Sequence, residues 1–288
     1  MPMTLRTRTF DFQREVAVMA IVNRTPDSFY DGGATYALSA AIDHAQAQVT
    51  AGADIIDVGG VKAGPGAAVG VAEELRRIMP FVTRFRQVCD AVVSVDTFRP
   101  AVARAALQEG ADIINDTSGL ADPDLAGVVA DFPQAGLVVM HTGQGLRTRP
   151  YRTIYRPDTT TAVVSRLAEL VRTAQSAGVA ADMLIVDPGH DFAKNTLQSL
   201  EVTRRLREVC SLGFPVLLAL SNKDFIGEAL DLPLADRAGA SVAAAVASVM
   251  LGARLVRVHQ TKATKQAVMM AEVILGLRPP AVAWRGLA

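Results

Sequence analysis

The stretch Gly52-Ala53-Asp54-Ile55-Ile56-Asp57 decides the fold, because it recurs as Gly110-Ala111-Asp112-Ile113-Ile114-Asn115 and more loosely as Gly252-Ala253-Arg254-Leu255-Val256-Arg257. In each copy the glycine follows a segment with helical periodicity, at the position where helices commonly end, and an apolar run follows at once. The repeated unit is therefore a helix followed by a strand. This predicts an architecture of alternating strands and helices.

Polar residues end eight short apolar runs along the chain. A buried strand has no reason to end on a carboxylate, an amide or an imidazole unless that end opens onto something polar. Eight such ends predict one site assembled from many strands, as in a (β/α)8 barrel, which binds its ligands at the carboxyl ends of the strands. The runs with their polar ends cover residues 18–23, 55–57, 93–96, 113–116, 138–141, 184–187, 218–223 and 256–259.

Segments between these runs place apolar residues at intervals of three and four, which predicts helices. The strands are rich in Val, Ile and Leu without alternation, as expected for strands covered on both faces. No Pro/Ser-rich linker divides the chain, so we predict a single domain with a hairpin or plug over 1–15, the barrel over 16–278 and a loose tail over 279–288. The predicted helices are 38–50, 71–88, 100–108, 161–176, 197–210, 235–251 and 262–275, with a weaker one over 123–130.

A doubly wound Rossmann-type sheet is the alternative architecture. Its support is Gly64-Pro65-Gly66-Ala67-Ala68-Val69-Gly70, a glycine-rich stretch after the second run. That stretch is one residue too long for the dinucleotide fingerprint and has proline between its first two glycines. The count of eight strand–helix units favours the barrel.

The composition limits the class of partner. The chain has 288 residues, half of them apolar, and its 29 basic residues balance 29 acidic ones. A net charge near zero gives no electrostatic case for binding nucleic acid or an anionic membrane. Cys89 and Cys210 lie far apart without redox or metal spacing, which favours reduced thiols. With no apolar signal segment in residues 1–15, we expect a cytoplasmic protein.

The polar strand ends fall into two chemical groups. Asp96, Asn115 and Asp187 are short and rigid, and suit the hydrogen-bonding edge of a flat heterocycle; for any single one, capping of the next helix is an alternative. The other group consists of amide and cationic side chains that suit a phosphate. Its members are Asn23, Lys223, Arg257 and His259. Together they predict a ligand made of a heterocycle carrying a phosphate or pyrophosphate.

The histidines do not predict a protein-held zinc or iron site, because no pair of them has zinc-ligand spacing. Magnesium bridging a pyrophosphate and a few oxygens is the compatible metal. His141 and His259 end strands and are expected in the pocket, whereas His190 lies on a loop and has no predicted place.

The strand ends and their adjoining loops resemble those of dihydropteroate synthases, which join 4-aminobenzoate to a dihydropterin pyrophosphate. The resemblance covers about residues 16–278, and it looks strongest to the divergent second synthase-like proteins of mycobacteria. The matching motifs are 23–29 with 31–33, 57–60 with 65–67, 95–97, 114–116, 140–141, 187–189, Ser221 with Lys223, and 257–259.

The resemblance implies roles for individual residues. Asp96, Asn115, Asp187 and Lys223 would hold the pterin ring, with Met140 and Phe192 packed near it. Ser221 would lie near the aminobenzoate. The residues implied to face the pyrophosphate are Asn23, Arg257 and His259, with Asn23 as the Mg²⁺ ligand; the candidates for a catalytic role are Lys223, Asp27 and Asp31. The resemblance further implies that sulfa-type analogues bind and that late helices form a homodimer.

The second motif departs from the family pattern. The family has Glu-Ser-Thr-Arg where this chain has Val61-Lys62-Ala63-Gly64, so Ala63 and Gly64 replace a threonine and an arginine. The lost arginine would contact the pyrophosphate. Other departures are Asn222 for an arginine, Ala219 for a glycine and Gln260 for an aspartate. We therefore expect a pterin-binding protein with little or no synthase activity.

Two other functions remain open. An active synthase would need another cation in place of the lost arginine, and the candidates are Lys62, Arg24, Arg147 and Arg149. A methyltransferase acting on methyltetrahydrofolate is the lesser alternative, because such enzymes share a pterin-binding barrel. Lys223, Arg257 and His259, which suit an anion, favour the synthase-like functions over it.

Overall fold

A short antiparallel hairpin closes the amino-terminal end of the molecule. In the computed structural model, which describes residues 2–25, 37–61, 68–143 and 153–285, strands β1 (Met3–Leu5) and β2 (Arg8–Phe10) pair with each other. Met3, Leu5 and Phe10 are buried, and with Phe12 they pack against the first residues of several barrel strands. The hairpin therefore plugs that end of the barrel.

Eight parallel strands form the barrel wall. Strands that are neighbours along the chain pair with each other, except β8 and β9, and the last strand pairs with the first, so the wall nearly returns on itself. The strands are β3 (Ala17–Asn23), β4 (Ile55–Gly59), β5 (Val92–Asp96), β6 (Ile113–Asp116), β7 (Gly136–Met140), β8 (Leu184–Asp187), β9 (Leu217–Leu218) and β10 (Leu255–Val258). The predicted single-domain (β/α)8 barrel is confirmed, and the doubly wound alternative is wrong.

The seam between β8 and β9 is the weakest part of the wall. Only an isolated bridge between Val186 and Val216 joins the two strands, with the Val186 N–H donating to the Pro215 carbonyl at 3.0 Å. The barrel is thus nearly closed rather than continuously hydrogen-bonded.

Helices surround the barrel, and the main apolar core lies between them and the strands. Most begin and end within a few residues of the predicted bounds. They are α1 (Leu38–Thr50), α2 (Val71–Arg86), α3 (Pro100–Gln108), α4 (Asp124–Ala130), α5 (Thr159–Ser176), α6 (Thr196–Arg204), α7 (Leu206–Cys210), α8 (Asp224–Leu230), α9 (Ala238–Met250) and α10 (Thr261–Ile274). None of the helices in the described residues is long and apolar enough to cross a membrane.

Three predicted helices differ from the structure. The helix over 161–176 begins at Thr159, because the Asp158 carboxylate accepts the Thr161 N–H and caps the first turn. The helix over 197–210 is interrupted at Arg205, which separates α6 from α7. The helix over 235–251 begins only at Ala238, after a short 3₁₀ turn over residues 234–236.

The repeated Gly-Ala-Asp stretch has the same structural role in two places. The Asp54 N–H donates to the Val18 carbonyl and its carboxylate accepts the Val18 N–H, both at 2.8 Å. Asp112 makes the same pair of bonds with Val93, again at 2.8 Å. Each preceding glycine has a positive φ, 100° and 98°, which ends the helix in the left-handed conformation that glycine favours. The sequence repeat therefore encodes a helix end joined to a strand start.

Candidate functional site

The carboxyl-terminal ends of the barrel strands surround one pocket. The strand register places Asp96 beside Asn115 and Met140 beside Asp187, so polar ends of neighbouring strands lie at the same level. The residues to which the family resemblance gives a ligand-binding role all line this pocket where the structure describes them. They are Asn23, Asp96, Asn115, Met140, Asp187, Phe192, Ser221, Lys223, Arg257 and His259.

Several predicted residues lie outside the described residues. These are the catalytic candidates Asp27 and Asp31, the loop residues Lys62, Ala63 and Gly64, and the replacement candidates Arg147 and Arg149.

Arg24 is placed away from the pocket. Its side chain is buried, its Nε donates to the carbonyl of Arg77 in α2 at 3.1 Å, and it is not among the pocket-lining residues. The structure thus gives no support to Arg24 as the replacement for the missing arginine.

Arg257 lies across the pocket floor and joins two carboxylates. Its Nε is 2.6 Å from Asp57 Oδ2, and its Nη2 is 3.3 Å from Asp96 Oδ2. Asp57 is fully buried and also accepts the Ser94 hydroxyl at 2.5 Å. The sequence places Asp57 among the polar ends of the apolar runs but gives it no individual role, and in the structure it lies in the middle of β4.

Burial and charge shift the acidity of the floor. Burial raises the pKa of Asp96 to about 7, an effect that Arg257 opposes and Asp57 reinforces. Burial also raises the pKa of Asp187, although Lys223 opposes it. The floor can therefore hold a proton close to neutral pH.

Lys223 forms one side of the pocket. Its Nζ donates to the His190 carbonyl at 2.5 Å and lies 4.9 Å from the centre of the Phe192 ring, a cation–π contact. Burial lowers the pKa of Lys223, an effect that Asp187 and Asp191 oppose. The pocket thus combines carboxylates, one ammonium group and an aromatic face, which suits a flat polar heterocycle.

Comparison with known proteins decides the family. The family model described as pterin binding enzyme matches residues 19–259. The chain belongs to the pterin binding enzyme family. It is 48% identical over 276 residues to the inactive dihydropteroate synthase 2 of Mycobacterium tuberculosis, covering 94% of this chain and 86% of that protein. It is 38% identical over 276 residues to the dihydropteroate synthase of Synechocystis, covering 95% of each.

The fold also matches a solved member of the pterin binding enzyme family. The dihydropteroate synthase of Yersinia pestis in complex with a sulfonamide drug superposes with a TM-score of 0.90 at 36% identity, covering 96% of this chain and 100% of that one.

His141 does not line the pocket, which corrects the sequence-based expectation. It is buried behind the pocket wall, where its Nδ1 lies 2.8 Å from Lys194 Nζ. Lys194 also donates to the Gly189 carbonyl at 2.9 Å. Burial lowers the pKa of Lys194 to about 7 and that of His141 to about 3. Lys194 has no recognisable signal in the sequence, because its role depends on a fold that places it under the loop.

The loop after β8 is held in an unusual backbone conformation. Asp191 and Ala193 have positive φ values of 63° and 55°. Asp191 offsets this cost by accepting the N–H groups of Asp224 and Phe225 at the start of α8, at 2.8 and 3.3 Å. This loop carries Phe192 into the pocket.

Ser221 and Asn222 follow β9 but lie in different surroundings, since Ser221 lines the pocket and Asn222 does not. The Ser221 hydroxyl lies 3.0 Å from His259 Nδ1 and donates to Gln260 Oε1 at 3.1 Å. Asn222 is 1% exposed with a φ of 59°, and its backbone N–H donates to the Ser241 hydroxyl. Its side chain therefore packs in the interior instead of bordering the outer part of the pocket.

Proposed function

We propose that this chain binds a pterin in the strand-end pocket and has little or no dihydropteroate synthase activity. The observation that carries the proposal is the gathering of Asp96, Asn115, Asp187 and Lys223 in one pocket floor. Carboxylate and amide oxygens there can accept the N–H groups of a pterin, and Lys223 can donate to its carbonyl.

The proposal of little or no synthase activity rests on the residues expected to contact 4-aminobenzoate and the pyrophosphate. Asn222 points into the interior, and Ala219 lines the pocket where the family resemblance implies a glycine. The Arg257 guanidinium is engaged by two carboxylates. Together with Ala63 and Gly64 in the second motif, these features favour pterin binding over turnover.

The test is calorimetric binding of dihydropterin pyrophosphate and of 4-aminobenzoate, beside a pyrophosphate-release assay with both. We expect the pterin to bind, 4-aminobenzoate or a sulfa-type analogue to bind weakly, and release to stay near background. Release approaching that of an ordinary synthase assayed in parallel would contradict the proposal of little or no synthase activity. Absence of pterin binding would contradict the whole proposal.

We propose that Mg²⁺ enters the site only with a pyrophosphate. Among the described residues no group of three or more His, Cys, Asp or Glu side chains is placed to hold a metal ion. Asn23, at the end of β3, offers one amide oxygen in the pocket, and the remaining ligands would come from pyrophosphate oxygens and water. The bound ion would neutralise charge on the pyrophosphate.

We also propose a homodimer formed through α9 and α10. Apolar side chains are exposed on these helices and on the tail after them, with Ile274 62% and Trp284 84% exposed. A second copy would cover these side chains, because exposed apolar side chains favour association. Met250, Met269 and Met270 belong to the same set.

A further inference from the structure

Asp57 lies beneath the pocket floor without lining the pocket. Its side chain is fully buried and accepts hydrogen bonds from three groups, Ser94 Oγ at 2.5 Å, Arg257 Nε at 2.6 Å and Asn115 Nδ2 at 3.4 Å. Two of these three, Arg257 and Asn115, line the pocket. One buried carboxylate therefore orients two ligand-facing side chains.

The charge of Asp57 determines which way the Asn115 amide points. If the amide were rotated by half a turn, Asn115 Oδ1 would face the Asp57 carboxylate, and two acceptors would repel each other. The NH₂ group is therefore held toward Asp57. Asn115 Oδ1 is buried and has no hydrogen-bond partner among the described residues. An unpaired buried acceptor is unfavourable, so a donor supplied by a ligand would stabilise this arrangement.

Asn115 lines the pocket together with Asp96 and Asp187. With its NH₂ group held toward Asp57, the group that Asn115 has left for a ligand is the Oδ1 acceptor. All three are hydrogen-bond acceptors when the acids are ionised. An edge that matches them presents several N–H donors, as does the 2-amino group of a pterin with its adjacent ring N–H. In a 2-oxopteridine a carbonyl oxygen replaces the 2-amino group. That oxygen would face acceptor oxygens of the pocket and could donate no hydrogen bond to them.

We propose that Asp57 is a positioning residue that makes the pocket selective for 2-aminopteridines over their 2-oxo counterparts, by fixing the Asn115 amide and the Arg257 guanidinium. The proposal rests on the proposed pterin-binding function. Arg257 contributes because its position on the floor is set by Asp57 as well as by Asp96.

The test compares calorimetric affinities for 6-hydroxymethylpterin and 6-hydroxymethyllumazine, its 2-oxo counterpart. In the unmodified protein we expect the pterin to bind tighter by about tenfold or more, corresponding to about 1.4 kcal/mol. Asp57→Asn replaces the carboxylate with a neutral amide that can donate or accept, so Asn115 can adopt either orientation. We expect the affinity ratio to fall to within about twofold of one.

Asp54→Asn is the matched control. Asp54 is a buried carboxylate three residues earlier, immediately before β4, and it pairs with Arg8 at 2.8 Å and Lys265 at 2.7 Å. This variant should lower stability and leave the affinity ratio unchanged, which separates positioning from a general loss of packing.

Each outcome bears on the proposal. An unchanged ratio in folded Asp57→Asn overturns the positioning role while leaving pterin binding intact. If that variant does not fold, equal affinities for the two pteridines in the unmodified protein overturn the selectivity directly. Binding of neither compound to the unmodified protein would overturn the proposed function itself.

Discussion

Asp96 illustrates how single residues in the pocket carry a cost in stability. It lies on the floor with its side chain 16% exposed, and Arg257 lies between it and the buried Asp57. Burial of a carboxylate favours its protonated form, and the pKa of Asp96 is raised to about 7 from an ordinary 3.8. The folded chain therefore binds this proton more tightly than the unfolded chain does.

Replacing Asp96 with asparagine should stabilise the fold above neutral pH. Because the folded pKa is raised, the stability linked to this proton is present below about pH 4 and is lost as the pH rises through about 7. We expect Asp96→Asn to raise the free energy of unfolding by about 2–4 kcal/mol at pH 8 and to give no gain at pH 4. Urea unfolding at both pH values measures this.

The control for this prediction is Asp90→Asn, because the Asp90 side chain is 87% exposed. It should change the free energy of unfolding little at either pH. A gain for Asp96→Asn of equal size at pH 4 and pH 8 would contradict the titration argument.

Restoring the second motif should strengthen binding of the charged ligand. Ala63→Thr with Gly64→Arg returns an arginine that can form charge-assisted hydrogen bonds worth about 1.5–3 kcal/mol. We expect the affinity for dihydropterin pyrophosphate to rise by about tenfold to a hundredfold. The affinity for 6-hydroxymethylpterin should stay unchanged. Calorimetry measures the affinity for both compounds. An equal rise in the two affinities would show that the restored residues do not act on the pyrophosphate.

Sequence predicted the residues on the pocket surface better than those behind it. Asp187 and His259 could be identified because a polar residue at the end of an apolar run must face a polar space. Asp57 also ends such a run, yet it lies beneath the floor, and neither its role nor that of Lys194 could be predicted, since both depend on contacts between residues far apart in the chain, such as Asp57 with Arg257. His141 was misplaced for the same reason: the end of a strand does not show on which side of the wall the side chain packs.

Among the elements, the short helix α8 was not predicted from sequence. It spans seven residues, which is too short to show clear helical periodicity. The helix depends on tertiary contacts instead: the Asp191 carboxylate caps its start, and Arg237 donates to Asp224 at 3.1 Å. The longer helices α1 and α3 have the predicted bounds, because their apolar spacing extends over several turns.

The end of α8 offers a test of backbone strain. Asp231, exposed at its C-cap, has a φ of 54°, a left-handed conformation that costs a residue with a Cβ about 1 kcal/mol. Asp231→Gly should therefore raise the free energy of unfolding by about 0.5–1 kcal/mol. Asp231→Ala, which keeps the Cβ and loses the polar side chain, should not raise it. Thermal and urea unfolding compare the three chains, and equal stability for glycine and alanine would contradict the assignment.

At the scale of the whole molecule, the exposed apolar surface on α9, α10 and the tail predicts self-association. Ile274→Lys should shift the protein from dimer toward monomer, because a charged side chain would have to be desolvated at the interface. Leu197→Lys is the matched control, since Leu197 on α6 is also exposed, at 75%, but lies outside this surface. Analytical ultracentrifugation measures the outcome, and a monomeric unmodified protein would rule out the dimer.

The barrel could be predicted because its repeated unit, a helix end followed by a strand, is local in the sequence. The incomplete pairing between β8 and β9 could not be predicted. Gly52 and Gly110 mark helix ends within a few residues of the strands that follow. The bridge between Val186 and Val216 depends on how eight strands close around one axis, and no short stretch of sequence contains that information.

The hairpin of β1 and β2 covers the end of the barrel opposite the pocket. Met3, Leu5, Phe10 and Phe12 fill the far end, so among the described residues the pocket above Asp96 and Asp187 opens toward the strand ends alone. If the proposed pterin and a second ligand enter from that side, we expect the deeper one to bind first and to leave last. A compound bound near Ser221 would then block dissociation of the pterin. It should lengthen the residence time of the pterin without contacting the residues of the floor.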